Sequence, residues 1–233
     1  MKEITIDKAW RGAERCKNCA IRHLVLFSDL SHQDFDRIHQ PIDDLEYEPG
    51  TRLYHQGEEL RYVYTVRSGL IKLVQHLPNG TQRIVRLLRQ GDLAGLEGLG
   101  GQVADHDAVT LDHASVCRIP VPVIRDLQRE TPNLHDSLMR RWQKALSGAD
   151  NWITRLSTGN ARQRVARLLL LLDEASTDDS FFLPTREDMG AMLGITTESA
   201  SKVTADFRRR GWLKPLGGHR AWIDARALQE EVD

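Results

Sequence analysis

The feature that most constrains this chain is a change of period at Pro120 and Pro122. Before it, residues 45–120 read as short β-runs broken by turns. Tyr47 to Leu53 alternates around Pro49-Gly50, and Tyr62-Val63-Tyr64-Thr65-Val66 runs up to Ser68-Gly69. Leu70 to Val74 follows, Pro78-Asn79-Gly80 signals a hairpin, and Gln82 to Leu88 is its return strand. Val109 to Ile119 supplies the last strands. Many short strands at regular spacing predict a small sandwich or barrel. After Pro122, from Val123 to about Ser157, the apolar period becomes helical. Leu138, Trp142, Ala145, Ala149, Trp152 and Leu156 alternate steps of four and three. That is a heptad seam, and it predicts a dimer interface between two parallel helices. The plainer reading is a helix packed on its own domain.

A second amphipathic helix is predicted over Ala161 to Glu174, ended by the loop Asp178-Asp179-Ser180. Phe181 to Asp233 forms a compact further domain. Its residues 184–213 read PTREDMGAMLGITTESASKVTADFRRRGWL. Thr185 is a good N-cap, with Glu187 and Asp188 in the first turn. Met189, Met192 and Leu193 give one apolar face, and Gly194 suits a left-handed helix end. Thr196 or Thr197 caps the next helix, whose inner face is Ala200, Val203 and Phe207. Two short helices joined by a glycine turn make a helix-turn-helix, and Leu216-Gly217-Gly218-His219 reads as the hairpin of a wing.

Net charge is −1, so a nucleic-acid partner must be recognised by local charge. Between 198 and 220 stand Lys202, Arg208, Arg209, Arg210, Lys214 and Arg220 against Glu198 and Asp206, six cations less two anions, a local +4. Early residues of a recognition helix enter the major groove, here Thr197, Glu198, Ser201 and Lys202. Glu198 can accept from a cytosine or adenine amino group, Lys202 can donate to guanine, and Ser201 and Thr197 can touch a thymine methyl or a phosphate. Arg186 and Arg220 complete the expected DNA-binding set. The bland alternative is a solvated basic helix, but capping, turn glycine, apolar face and charge all agree on DNA.

Other classes recede. No run is long and apolar enough to predict a transmembrane helix, and Met1 to Asp7 shows no signal-peptide core. Three cysteines argue against a disulfide framework and for the reducing cytoplasm. An enzyme is not expected. There is no nucleophile–base constellation and no HExxH, and the stretch Gly95 to Gly100 lacks a P-loop lysine.

A strand-rich domain, a heptad helix and a winged helix-turn-helix, in that order, resemble the CRP/FNR family of bacterial transcription regulators. The specific residues are Gly69 before a strand, the turn Gly91-Asp92-Leu93-Ala94-Gly95, and Glu198-x-x-Ser201-Lys202, where the family usually shows arginine in place of Lys202. The resemblance implies an α+β fold. A β-roll or jelly-roll sensor domain of the cyclic-nucleotide-binding type would span 1–120, a dimerisation helix 121–157, and a winged helix-turn-helix 158–233. It further implies a homodimer on a palindromic double-stranded operator, contact with RNA polymerase, and activation of transcription. In the family, loops such as Leu77 to Thr81 touch the polymerase; here that stretch is equally well a turn.

The signal is the next expectation. The cyclic-nucleotide branch holds its phosphate with an Arg-Ser pair, but here the segment reads Gly101-Gln102-Val103-Ala104-Asp105-His106-Asp107-Ala108. It has no arginine and two aspartates, so no cyclic nucleotide is expected. The chain also resembles the oxygen-sensing branch, the fumarate-nitrate-reduction regulators, which carry a 4Fe–4S cluster. Cys16-x-x-Cys19 matches that branch's CxxC, and Cys117 before Ile119-Pro120 matches its distant cysteine, 98 residues beyond Cys19. The resemblance implies Cys16, Cys19 and Cys117 as metal ligands. Where the branch has one more cysteine, this chain has Val25, leaving His23, Asp29, His32 or an exogenous ligand for the fourth position. Alternatives remain open. Cys117 can be a small buried hydrophobe. Cys16 and Cys19 can form a thiol switch or a zinc site. The same fold can also sense haem, NO or a small effector.

Overall fold

The computed structural model describes residues 42–176 and 179–232; Cys16, Cys19, Val25, His23, Asp29 and His32 lie outside them. Two compact units divide the chain. One takes residues through Gln75 together with Leu87–Leu146, the other His76–Arg86 together with Ser147 onward.

Up to Pro120 the described chain carries β1 (Asp43–Tyr47), β2 (Arg52–Tyr54), β3 (Tyr62–Ser68), β4 (Ile71–His76), β5 (Gln82–Leu88), β6 (Leu93–Ala94), β7 (Asp107–Thr110) and β8 (Ala114–Pro120). They form two four-stranded sheets, ordered β1-β8-β3-β6 and β2-β7-β4-β5. Every strand but β6 carries β-branched or aromatic residues that suit a half-buried pleat. Gly69, at φ +80°, turns β3 into β4 so tightly that a Cβ would strike the Ala114 backbone, which only glycine avoids. Val63 of β3 lies opposite Ile119 of β8, and Thr65 opposite Cys117. This face of the first sheet packs against α1 (Val121–Glu130) and the start of α2 (Pro132–Leu156) through Val63, Ile119, Val123, Ile124, Leu127, Leu134 and Leu138.

One continuous helix from Val123 was expected, and the structure breaks it. Thr131 is extended at φ −126° and ψ 95°, because Pro132 disfavours the helical region for the residue before it. A second difference concerns the seam on α2. Leu138 and Leu156 are buried within the chain, at 2% and 0% exposure. The exposed apolar line is Met139, Trp142, Leu146 and Ile153, with Ala149 half-exposed between them. Of the expected seam, Trp142 and Ala149 lie on this line, while Leu138 and Leu156 face the core.

In the second unit, α3 (Ala161–Glu174) opens on a capping box from Asn160 and Gln163. Then come β9 (Phe181–Phe182), α4 (Arg186–Leu193), α5 (Thr197–Arg209), β10 (Leu213–Gly217), β11 (Arg220–Ile223) and α6 (Ala225–Val232). Thr185 accepts from the Asp188 amide at 3.0 Å and caps α4. Gly194 ends it at φ +65°. Thr196, not Thr197, caps α5. Met189, Met192, Leu193, Ala200 and Phe207 are fully buried. Val203 is only half-buried, and Thr204 takes the inner position, its hydroxyl donating to the Ala200 carbonyl at 2.7 Å. The wing sheet is ordered β10-β11-β9. Among the described residues no helix is long and apolar enough to cross a membrane.

Candidate nucleic-acid interface and the sensor cysteine

Capping by Thr196 starts α5 one residue before Thr197, and the 3.6-residue period then fixes its faces. Ala200, Thr204 and Phe207 turn inward. Thr197, Glu198, Ser201 and Lys202 are all exposed and share the opposite side of the first two turns. Glu198 sits where helix amides are unpaired. Its backbone amide and the Thr196 hydroxyl, aided by Lys202, hold its carboxyl below the usual range. It is therefore an acceptor only, suited to an exocyclic amino group of a base. Lys202 stands one turn on as a donor.

Arg186 opens α4. It is half-buried, its Nη1 lies 3.4 Å from Met189 Sδ, and no carboxylate pairs with it among the described residues. Burial, and then the neighbouring charge of Arg208, push its pKa down. Two guanidinium groups that repel one another without an acid between them suit a phosphate, whose charge would relieve the repulsion. Charge counting included Arg208 but gave it no site role; its nearness to Arg186 is visible only in three dimensions.

Arg220 is tied to its own domain. Its Nη2 donates to the Ser180 carbonyl at 2.7 Å and its Nε to the Ser180 hydroxyl at 3.2 Å. It pins β11 to the loop before β9. Arg209 and Arg210 both pair with Asp206 at 2.9 Å, and Lys214 Nζ lies 4.8 Å from the Trp222 ring centroid. The local +4 is thus unevenly available, with Lys202 and Arg208 its freest members.

In the first unit, the segment that was compared with a phosphate clamp places Asp107 inward at 4% exposure. Its carboxylate meets Arg52 Nε at 3.2 Å and accepts from the Gln56 amide at 2.7 Å. His106 Nδ1 lies 3.9 Å from Glu97 Oε1. The Asp107 carboxylate is thus engaged within the fold.

Cys117 occupies the middle of the other sheet. Asp44 of β1 lies opposite on one side and Thr65 of β3 on the other. The cysteine is half-buried and packs with Ile42 and Leu99 against the apolar cluster under α1. Asp44 pairs with Arg67. Among the described residues no three His, Cys, Asp or Glu side chains gather for a metal. Cys117 is the one expected ligand they contain.

A β-domain of two four-stranded sheets followed by a winged helix-turn-helix defines a DNA-binding regulator, and comparison agrees. Residues 44–131 match the cyclic nucleotide-binding domain family, and residues 163–231 the Crp-like helix-turn-helix domain. The fumarate and nitrate reduction regulatory protein of Vibrio cholerae is 29% identical over 225 residues, 94% of this chain and 90% of that one. Its counterpart in Escherichia coli K12 is 29% identical over 212 residues, 88% and 85%. FixK2 of Bradyrhizobium japonicum superposes with a TM-score of 0.74 at 23% identity, covering 83% of this chain and 98% of its own. A CRP-family transcriptional regulator of Thermus thermophilus gives 0.71 at 26%, covering 81% and 96%. The chain belongs to the CRP/FNR family of DNA-binding transcription regulators, and it is not an enzyme.

Proposed function

We propose that this regulator responds to oxygen or redox state through a 4Fe–4S cluster held by Cys16, Cys19 and Cys117, and that it activates transcription in the cytoplasm. The observation that carries the reading is the setting of Cys117. Its thiol lies half-buried at the margin of an apolar cluster, which limits solvent access while leaving one side for further ligands. The CxxC of Cys16 and Cys19 supplies the remaining thiolates, and the relatives' name points the same way. When bound, such a cluster would tie the segment carrying Cys16 and Cys19 to β8. The segment Gly101 to Ala108 offers no arginine to clamp an anionic cyclic nucleotide.

Operator binding follows from α5. Two copies of the chain would pair through α2 and set two recognition helices about 34 Å apart on a palindromic site. Thr197, Glu198, Ser201 and Lys202 read bases, and Arg186 with Arg208 takes a phosphate. The exposed hairpin tip Pro78 to Thr81 would be the part that touches RNA polymerase.

The deciding experiment is an absorption spectrum with iron and sulfide analysis of protein purified without air. Broad absorption near ~400 nm that bleaches in air, with about four irons and four sulfides per chain, is expected. A colourless, iron-free protein that still binds DNA would remove the cluster and leave the DNA reading in place.

A further inference from the structure

Thr65 is fully buried, and its hydroxyl has no hydrogen-bond partner among the described residues. Such an orphan is costly. A buried hydroxyl without a partner loses about 1–3 kcal/mol against the same group in water, and a valine of the same shape would lose nothing. The hydroxyl therefore asks for a partner that the protein acquires in another state.

The sheet register says which. Across β1, β8, β3 and β6 one row reads Asp44, Cys117, Thr65, Leu93. Residues directly opposite on antiparallel strands share a face, with Cβ atoms about 4.5–5.5 Å apart. Val63 and Ile119, one pair along, and Leu93 in the same row belong to the cluster packed under α1. Thr65 thus has an alkyl side chain on one flank and Cys117 on the other, whose sulfur does not accept from it in this state. A neutral thiol is a poor acceptor, whereas a thiolate is a good one.

We propose that Thr65 donates a hydrogen bond to the Cys117 sulfur when that sulfur is a thiolate ligand, and that it thereby tunes the bound iron–sulfur group. This rests on the cluster reading above. Thr65 is a positioning residue, since it acts through Cys117. Hydrogen bonds to ligand sulfur withdraw electron density and make a cluster harder to oxidise. The hydroxyl should therefore slow loss of the cluster in air.

The test uses the full chain purified without air as wild type, Thr65→Val and Thr65→Ser. Iron and sulfide content, the Fe–S stretching bands in resonance Raman, and the rate of bleaching in air are measured for each. All three should load equally. Thr65→Val should bleach about two- to tenfold faster than wild type, the range of one hydrogen bond, and its Fe–S bands should shift, while Thr65→Ser keeps wild-type values. Loaded Thr65→Val that matches wild type in both bands and rate would overturn this proposal alone. Equal acceleration in Thr65→Val and Thr65→Ser would overturn it too, because the methyl and not the hydroxyl would then matter. Wild type without iron and sulfide would overturn the cluster reading and this proposal with it.

Discussion

Asp206 anchors the recognition helix. It accepts from Arg162 at 2.6 Å and from Arg209 and Arg210 at 2.9 Å. Arg162 also pairs with Glu231 at 2.7 Å, and its guanidinium lies 4.8 Å from the Phe207 ring and 5.5 Å from Trp212. One arginine of α3 therefore holds the end of α5, the turn after it, and α6. Replacing Arg162 with Ala should cost about 1–3 kcal/mol through the lost charged hydrogen bonds and ring packing. The check is a denaturant titration. A change below about 0.5 kcal/mol, the level of an ordinary surface substitution, would show the network to be ornamental. The Arg162 hydrogen bond, with Arg209 and Arg210, brings the Asp206 carboxyl from 3.8 down to about 2. A depressed carboxyl stabilises the fold above its unfolded value and loses that effect as pH falls through its folded value. Stability conferred by Asp206 is thus intact at pH 4 and above and fades between about 4 and 2. In Asp206→Asn, that part of the acid limb should vanish from a stability–pH curve. The pairs of Asp206 with Arg209 and Arg210 are legible in sequence, since steps of three and four share a helix face. Arg162, 44 residues away, gives no local signal. Thr65 was equally hidden, reading as an ordinary β-branched strand residue until the register set it beside Cys117.

At the scale of elements, α2 shows why periodicity alone misplaces a seam. The positions 138, 142, 145, 149, 152 and 156 and the positions 139, 142, 146, 149, 153 and 156 both fit alternating steps of three and four. The helix carries two neighbouring apolar lines, and only packing separates them. Leu138 joins the cluster under the first sheet, whereas Leu146 is 66% and Ile153 60% exposed. Side chains this apolar and this bare on consecutive turns call for a partner surface. The paired-helix reading therefore predicts that Leu146→Glu opposes a like charge in the partner helix and shifts the protein to monomer in sedimentation velocity at micromolar concentration. Leu146→Met should stay dimeric. A dimeric Leu146→Glu would place the interface elsewhere. The helix-turn-helix was far more legible, because its glycine turn and threonine caps are fixed by local backbone chemistry: Gly194 is left-handed, and Thr185 and Thr196 cap as their hydroxyls permit.

On the scale of the whole molecule, a net charge of −1 means that attraction to DNA rests on a few well-placed cations, and the structure says which. Arg209 and Arg210 are held by Asp206 and Arg220 by Ser180. Arg186 and Arg208 repel one another with no acid between them among the described residues, and Lys202 is exposed on the reading face. A phosphate contact releases bound counterions, so each one lost should flatten the slope of log K against log salt by about 0.9. In a dimer every substitution counts twice. Arg208→Ala should therefore reduce the slope by about two, measured as operator affinity across a salt series by fluorescence anisotropy. The loss should fall on specific and random DNA alike, since a phosphate contact carries no sequence information. Arg209→Ala, on the same helix turn and of equal formal charge, should flatten the slope less than Arg208→Ala, because its guanidinium is drawn into an ion pair with Asp206. Equal slopes for the two variants would mean that the charge of the C-terminal unit acts as a diffuse field and that Arg186 and Arg208 form no phosphate site.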